Sequence, residues 1–462
     1  MVELESLKEE EKPERRTINN NVDRISSLPD CVLCQILSYL PTITSVSTGI
    51  LSRRWRHVWK DLQVFDIDNA PFRWSSEYEL KERHARFDSF VNAILAQRNA
   101  DSYSIQKFRL TCQSLGETIS AWLDAVIGPC LQELYLHRNF NHDSITLPEG
   151  IFTCPSLKSL ILKGHITLFH GPKVSNVYLP SLKNLELNIF FGDIDLLLSG
   201  CPALENLDLD LYEFGLCIPK LQMPQTLKSL TFSEPCNYHE ETKEICLREI
   251  YTPSLEYLHL SIESLEDAAM EVSVMHFPNM VEAHLSIDES TWNVHWVLEL
   301  LHALSETKLL ALEGPTTKCI FRAPSFEFPE FHHLIHLEVD LLCVSKSFLL
   351  NLLHNCHVLE RLLVNIWQFD EEELEYNGPI PPTMVPNCVT SHLKSFEYTG
   401  YQDSADEYEF IAYVLQRGLV LKTVTIDFDH FKYLFHQATK DNVIMKLSAI
   451  PRGSTICQLN FI

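Results

Sequence analysis

One spacing recurs through most of the chain: an apolar residue, a second three positions on, and a third two positions after that. It runs as Ile105/Phe108/Leu110, Leu131/Leu134/Leu136, Leu157/Leu160/Leu162, Leu182/Leu185/Leu187 and Leu204/Leu207/Leu209, with later copies beginning at Leu227, Leu255, Met280, Leu309, Leu334, Leu359, Leu393 and Leu421. Successive copies start 22 to 34 residues apart. So regular an interval marks stacked structural repeats, because a unit of this length cannot bury its apolar side alone. The last two apolar positions are two residues apart, the period of a strand with one buried face. Each buried leucine contributes roughly 1.5–3 kcal/mol in transfer terms, an upper value because unfolded chains are partly compact. Stability is therefore spread along the stack.

Several copies enter through a Pro-x-Leu step, as in "CPSLKSL", "LPSLKNL", "CPALENL" and "TPSLEYL", where proline ends one segment and the next strand begins. Between strands, "DIDLLLSGCP" and "KSFLLNLLHNC" are apolar runs long enough for about two helical turns. The predicted architecture is an α/β leucine-rich-repeat solenoid, with parallel strands on the concave side and helices on the convex side. Departures stand out. The Asn or Cys expected after the third leucine survives at Asn139, whereas other copies place His165, Phe190 or Tyr212 there. The copy at Leu309, "LLALEG", loses its third apolar residue, and the acidic run Asp370 to Glu375 followed by "GPIPP" interrupts the series like a linker.

Upstream, "DRISSLPDCVLCQILSYLPTITSVSTGILSRRWRHVW" follows a helical period. Leu28, Val32, Leu33, Ile36, Leu37 and Leu40 recur at three- and four-residue steps after Pro29-Asp30, and Pro41 stops that helix. A second short helix carries Val46 and Ile50, and a third carries Trp55 and Trp59 beside Arg53, Arg54 and Arg56. About forty residues hold too little core to stand alone, so their remaining apolar surface predicts a partner.

These residues resemble the F-box family. "LPDCVLCQILSYLP" and "LSRRWRHVW" sit at the spacing found in plant F-box proteins, and Leu62/Phe65/Ile67 with a helix through Phe87, Phe90, Val91, Ile94 and Leu95 leads into "IQKFRLTC", as their repeats begin. The tail, "LKSFEYTGYQDSADEYEFIAYVLQRGLVLKTVTIDF" and "LSAIPRGSTICQLNF", resembles the FBD domain that closes F-box/LRR chains. The resemblance implies a leader over 1–22, an F-box over 23–61, leucine-rich repeats over 62–370, a linker over 371–387 and an FBD-like domain over 388–462. It further implies a non-catalytic adaptor that binds a SKP adaptor and, through it, a cullin carrying a RING protein, with Leu28, Pro29, Ile36, Leu37, Leu40, Pro41, Val46, Leu51 and Trp55 forming the interface. No cofactor is implied. The second helix departs from the family, with Ile43, Thr44 and Ser47 where charged or basic residues are preferred, and Gly49 costs about 1 kcal/mol of helix propensity.

Charge narrows the partners. The formal net charge is -25, about +3 for residues 23–60 against about -26 for residues 61–462. An acidic body repels phosphate backbones and anionic headgroups, so nucleic acid and membrane are disfavoured and protein surfaces remain. The opening "MVELESLKEEEKPERR" lacks the apolar core of a secretory signal, and the 14 cysteines are scattered over a chain without an N-x-S/T acceptor. Reduced thiols in cytosol or nucleus are the expectation. Cys31 and Cys34 form a C-x-x-C with no second pair at zinc spacing. His332, His333 and His336, like His354, Cys356 and His357, flank repeat leucines and lack evident carboxylate partners, so surface or structural histidine is the expected reading. No P-loop, G-x-S-x-G, H-E-x-x-H or G-x-G-x-x-G is present.

The positions between the second and third strand apolar residues project from the concave sheet: Tyr135, Ile161, Glu186, Asp208, Thr231, His259, His284, Glu338 and Leu363. Aromatic, acidic and neutral residues alternate there, which points to a protein substrate with basic and apolar features. The rival reading is a repeat protein that recognises a partner without promoting ubiquitination. A sensor of anionic small molecules would need clustered Arg or Lys on that face, which the pattern does not offer. The C-terminal segment is expected to cap the stack with Phe410, Ile411, Val414 and Leu415 on a short helix.

Overall fold

The computed structural model describes residues 25, 27–70, 77–99, 105–138, 145–168, 176–191, 194–211, 223–234, 252–262, 277–288, 294–323, 326–366, 376, 378–428 and 437–462. The leader, Asn139, Tyr212 and the acidic run Asp370 to Glu375 lie outside them. Among the described residues, sixteen strands form one parallel sheet. Fifteen follow chain order: Val64–Asp68, Lys107–Cys112, Glu133–Arg138, Ser159–Thr167, Asn184–Phe191, Asn206–Leu211, Ser229–Glu234, Tyr257–Ile262, Glu282–Ile287, Leu309–Leu312, His336–Leu341, Arg361–Ile366, Ser395–Thr399, Thr423–Asp427 and Gln458–Phe461. The short strand Ile145–Thr146 pairs beside Ser159–Thr167.

A parallel sheet with each strand beside the next in sequence is what identical stacked units produce. Burial alternates along the strands, and the core row Leu110, Leu136, Leu162, Leu187, Leu209, Phe232, Leu260 and Leu285 is fully enclosed. The Pro-x-Leu steps are tight turns, because the N–H groups of Leu157, Leu204 and Leu255 donate three residues back to the carbonyls of Cys154, Cys201 and Thr252. Proline at the second turn position pre-sets the backbone angle this turn needs.

The apolar runs between strands become helices on the far side. Ile194–Ser199 buries Ile194, Leu197 and Leu198, and Lys346–His354 buries Phe348, Leu349, Leu352 and Leu353. Two sequence readings change. Leu310, not Leu309, pairs with Ala283 and Leu337, so the copy begins at Thr307 and retains its third apolar residue in Leu312. Thr307 is buried, and its hydroxyl donates to the Val281 carbonyl at 2.9 Å; a polar residue satisfied by backbone fills a leucine position that an apolar template skips.

The second change concerns the C-terminal segment, which extends the same sheet. Ser395–Thr399 pairs in register with Arg361–Ile366. The chain before it is fixed to the helical side: Asn351 donates to Tyr376 Oη at 2.9 Å and to the Pro379 carbonyl, while the Tyr376 ring meets Phe321 and Phe348 edge-on. Helix Ala405–Arg417 buries Phe410, Ile411, Val414 and Leu415, but it packs sideways on Lys346–His354 and helix Asn387–Ser391 as one more repeat helix. The C-terminal edge belongs to Gln458–Phe461.

At the other end, three short helical segments, Asp30–Leu37, Thr42–Ser47 and Trp55–Val58, close over Leu33, Leu37, Trp55, Val58 and Trp59. Buried Thr42 accepts a hydrogen bond from the Asp66 N–H at 2.8 Å, tying the second helix to the first strand of the sheet.

Candidate functional site

Two surfaces stand apart from the core. The first is on the N-terminal helices. Pro29 and Pro41 hold extended backbone just before the first and second helices, so both chain entries are stiff. Ser45 Oγ donates to the Leu37 carbonyl at 3.0 Å and Cys34 Sγ to the Val58 carbonyl at 3.4 Å. Arg54 Nε donates to Asp30 at 2.8 Å, and its Nη2 also reaches the Leu28 carbonyl, closing the third helix against the start of the first.

With those positions occupied by internal contacts, the outward residues are Ile36, Leu40 and Leu51, together with Tyr39 at 80% exposed and Ile50 at 87%. Pro29 and Pro41 are also exposed, and Leu28 and Val46 are half-buried. Leu37 and Trp55, expected at the interface, are core residues at 1% and 5% exposure, because the tightly folded helices turn them inward. Tyr39, three positions after Ile36 on the same helical period, was not among the interface residues read from the sequence. The Cys31–Cys34 pair offers poor metal chemistry: burial raises the Cys34 thiol above its ordinary value, and it already donates to a carbonyl.

The second surface is the open face of the sheet. Strand register places all nine predicted positions in one row, Tyr135, Ile161, Glu186, Asp208, Thr231, His259, His284, Glu338 and Leu363, with Ala311 between His284 and Glu338. Each of the nine is half-buried. The row continues as Asp66 and Arg109 before Tyr135 and as Glu397 after Leu363. Since neighbouring strands lie about 4.8 Å apart, it is a continuous track of side chains.

Its character changes along its length. Over the early strands, Arg109 lies over the Tyr135 ring at 4.5 Å and Lys107 pairs with Glu133 at 2.6 Å. Lys163 bonds Glu186, which holds the ammonium above its ordinary range. The sequence pattern offered no clustered cations here; among the described residues of these early strands Lys107, Arg109 and Lys163 occur, and each is engaged. Carboxylates follow. Burial, then repulsion from Glu186, raises Asp208, and burial likewise raises Asp340, which accepts from Asn365 at 2.8 Å.

Histidines sit among the later strands. The His259 and His284 rings are 5.8 Å apart, Tyr257 is 5.7 Å from His284, and His284 lies 2.7 Å from Glu282. His336 lies 3.0 Å from Glu338, and burial lowers both His259 and His336 below the ordinary imidazole range. Such an arrangement presents hydrogen bonds and charge to a docked chain.

A small helical head with outward apolar residues, joined to a long repeat sheet with a polar track, defines an adaptor-type recognition protein. Family models agree segment by segment. The F-box domain matches residues 25–66, the repeats of "FBD-associated F-box protein At5g56370, LRR repeats" match 119–282, and the FBD matches 381–426. Among relatives, F-box/LRR-repeat protein 13 of Arabidopsis thaliana is 30% identical, covering 96% of this chain and 97% of that protein. From the same organism, F-box/FBD/LRR-repeat protein At1g78750 is 29% identical over 97% and 98% of the two chains. The chain belongs to the F-box/FBD/LRR-repeat family, and its F-box and repeat domains mark it as an F-box protein that acts in substrate recognition.

Proposed function

We propose that this chain is the substrate receptor of a SKP–cullin–F-box ubiquitin ligase, working in cytosol or nucleus. One observation carries the reading: Ile36, Tyr39, Leu40, Ile50 and Leu51 face outward from helices whose own core is already filled. Exposed apolar residues in such a group are an interaction surface, and the SKP adaptor is the partner that an F-box typically binds. The chain performs no bond chemistry. It raises the effective concentration of a substrate lysine near a charged ubiquitin carrier.

The substrate is a protein whose basic and apolar groups match Asp208, Glu338 and the aromatic residues of the open row. Reversing charge at Glu186, Asp208 and Glu338 together is expected to abolish capture, and capture that survives the reversal counts against this partner chemistry. A second reading, recognition without ubiquitination, is favoured by the second helix, where exposed Thr44 and Ser47 replace charged residues.

The deciding experiment is a pull-down with purified SKP adaptor, comparing the intact chain with Leu28→Ala, Pro29→Ala and Leu40→Ala combined. The expected result is binding that the triple variant loses while its circular dichroism is unchanged. An intact, folded chain that fails to bind supports the second reading instead.

A further inference from the structure

Six repeats carry proline at one position of the turn before the strand: Pro129, Pro155, Pro180, Pro202, Pro253 and Pro278. In two consecutive repeats that position holds histidine, His332 and His357, after the buried residues Phe331 and Cys356. Equivalent positions of adjacent repeats stack directly, so the two imidazoles are neighbours, with ring centroids 5.2 Å apart and planes within 12°. Glu330, one residue before Phe331, joins them. Its carboxylate is 3.6 Å from His332 Nε2 and 3.6 Å from His357 Nε2. The sequence pattern showed no carboxylate partner for these histidines, because the partner of His357 comes from the neighbouring repeat.

The backbone beneath is fixed. Phe331 and Cys356 form a parallel β-bridge, in which the Phe331 N–H donates to the Asn355 carbonyl at 2.7 Å and the His357 N–H to the Phe331 carbonyl at 3.3 Å. Side chains alternate across such a ladder, so burying Phe331 and Cys356 turns Glu330, His332 and His357 to the opposite, solvent side. One ligand atom from each of the three lies within 4.8 Å of the other two. Metal–ligand bonds near 2.1 Å at tetrahedral angles require ligand atoms about 3.4 Å apart, which small side-chain rotations reach from here.

We propose that Glu330, His332 and His357 form a surface site for a divalent transition metal, zinc being the natural occupant. Two imidazoles and one carboxylate are a donor set that zinc accepts with a coordination position left to water, whereas calcium and magnesium prefer all-oxygen shells. Because Glu330 and His332 precede one strand and His357 the next, the ion would also cross-link two repeats. His333 belongs to a separate pair, its Nε2 3.2 Å from Glu306, and takes no part.

The test is zinc binding to the full, tag-free, chelator-stripped chain, by equilibrium dialysis and calorimetry, with cobalt substitution for the absorption bands of a tetrahedral nitrogen–oxygen site. The expected result is one equivalent of zinc and a raised melting temperature. His332→Ala and His357→Ala should each weaken binding at least about tenfold, the lower end of what even outer-shell changes cost such sites. His333→Ala and His295→Ala should bind as the parent does. Stoichiometry and affinity unchanged in the His332→Ala/His357→Ala double variant would overturn the site, as would the absence of zinc binding by the folded parent chain. All four positions are solvent-exposed or half-exposed, so the variants are expected to fold.

Discussion

Two glycines show how much a single residue's surroundings decide. Gly164 has φ of 98°, and a Cβ there would stand 2.0 Å from the Arg138 carbonyl oxygen, so Gly164→Ala should destabilise by about 2 kcal/mol or more. Gly49 was read as a weak point of the second helix. It sits in the 3-10 turn Thr48–Ile50, and its added Cβ would meet Arg56 Cα at an ordinary 3.5 Å. Gly49→Ala is therefore expected to leave stability unchanged or raise it by up to about 1 kcal/mol in urea denaturation. Neither outcome was legible in the sequence, because both depend on a distant backbone approaching the glycine. His259 and His336 make a pH prediction at the same scale. Burial lowers both, against the opposing pull of Glu313 and Glu338 and with the added repulsion of His284 and Arg361. The unfolded chain then binds more protons than the native one below the ordinary 6.5, so stability falls as pH drops from that value. Thermal melts at pH 7.5 and pH 5.5 should differ, and His259→Gln with His336→Gln should narrow the gap.

Among elements, strands were the most legible, because the apolar spacing is the register itself: all nine open-face positions fall in one row. What failed was the template's blindness to polar substitutes. Thr307 fills a leucine position by bonding Val281, so Thr307→Val should cost about 1 kcal/mol, the usual net worth of one buried hydrogen bond. Leu37 and Trp55 failed for a related reason, since a helical stripe identifies apolar residues without saying which face meets the helix's own neighbours. The cap helix shows the same gap. Its buried residues were readable, but its sideways packing follows from Ser395–Thr399 continuing the sheet, which the interruption before it conceals. Glu407 fixes that helix start, accepting from Ser404 N at 2.8 Å and from Tyr398 Oη at 3.0 Å while its own N–H donates to Ser404 Oγ. Glu407→Ala removes both the capping box and the partner of a buried tyrosine, and a drop of about 2 kcal/mol or more in chemical denaturation is expected.

Across the whole molecule, the ends of the sheet differ. At the first strand, Thr42 occupies the Asp66 N–H and the helices cover the edge. Among the described residues, Gln458–Phe461 has one strand beside it, its residues are half-buried or exposed, and Ile456 and Ile462 next to it are largely exposed. Stability in a stacked chain is a sum of neighbour terms, so opening should begin at the C-terminal side. Hydrogen exchange is expected to be fastest at amides of 458–461 and to slow toward the centre of the sheet. The covered first edge also bears on how the protein is made. Leaving the ribosome in order, the helical head and first strand would act as a seed, and each later repeat would meet a template one strand wide already in place. Growth by addition to a finished surface needs no search among distant partners, which suits a sheet in which fifteen of the sixteen described strands stack in chain order.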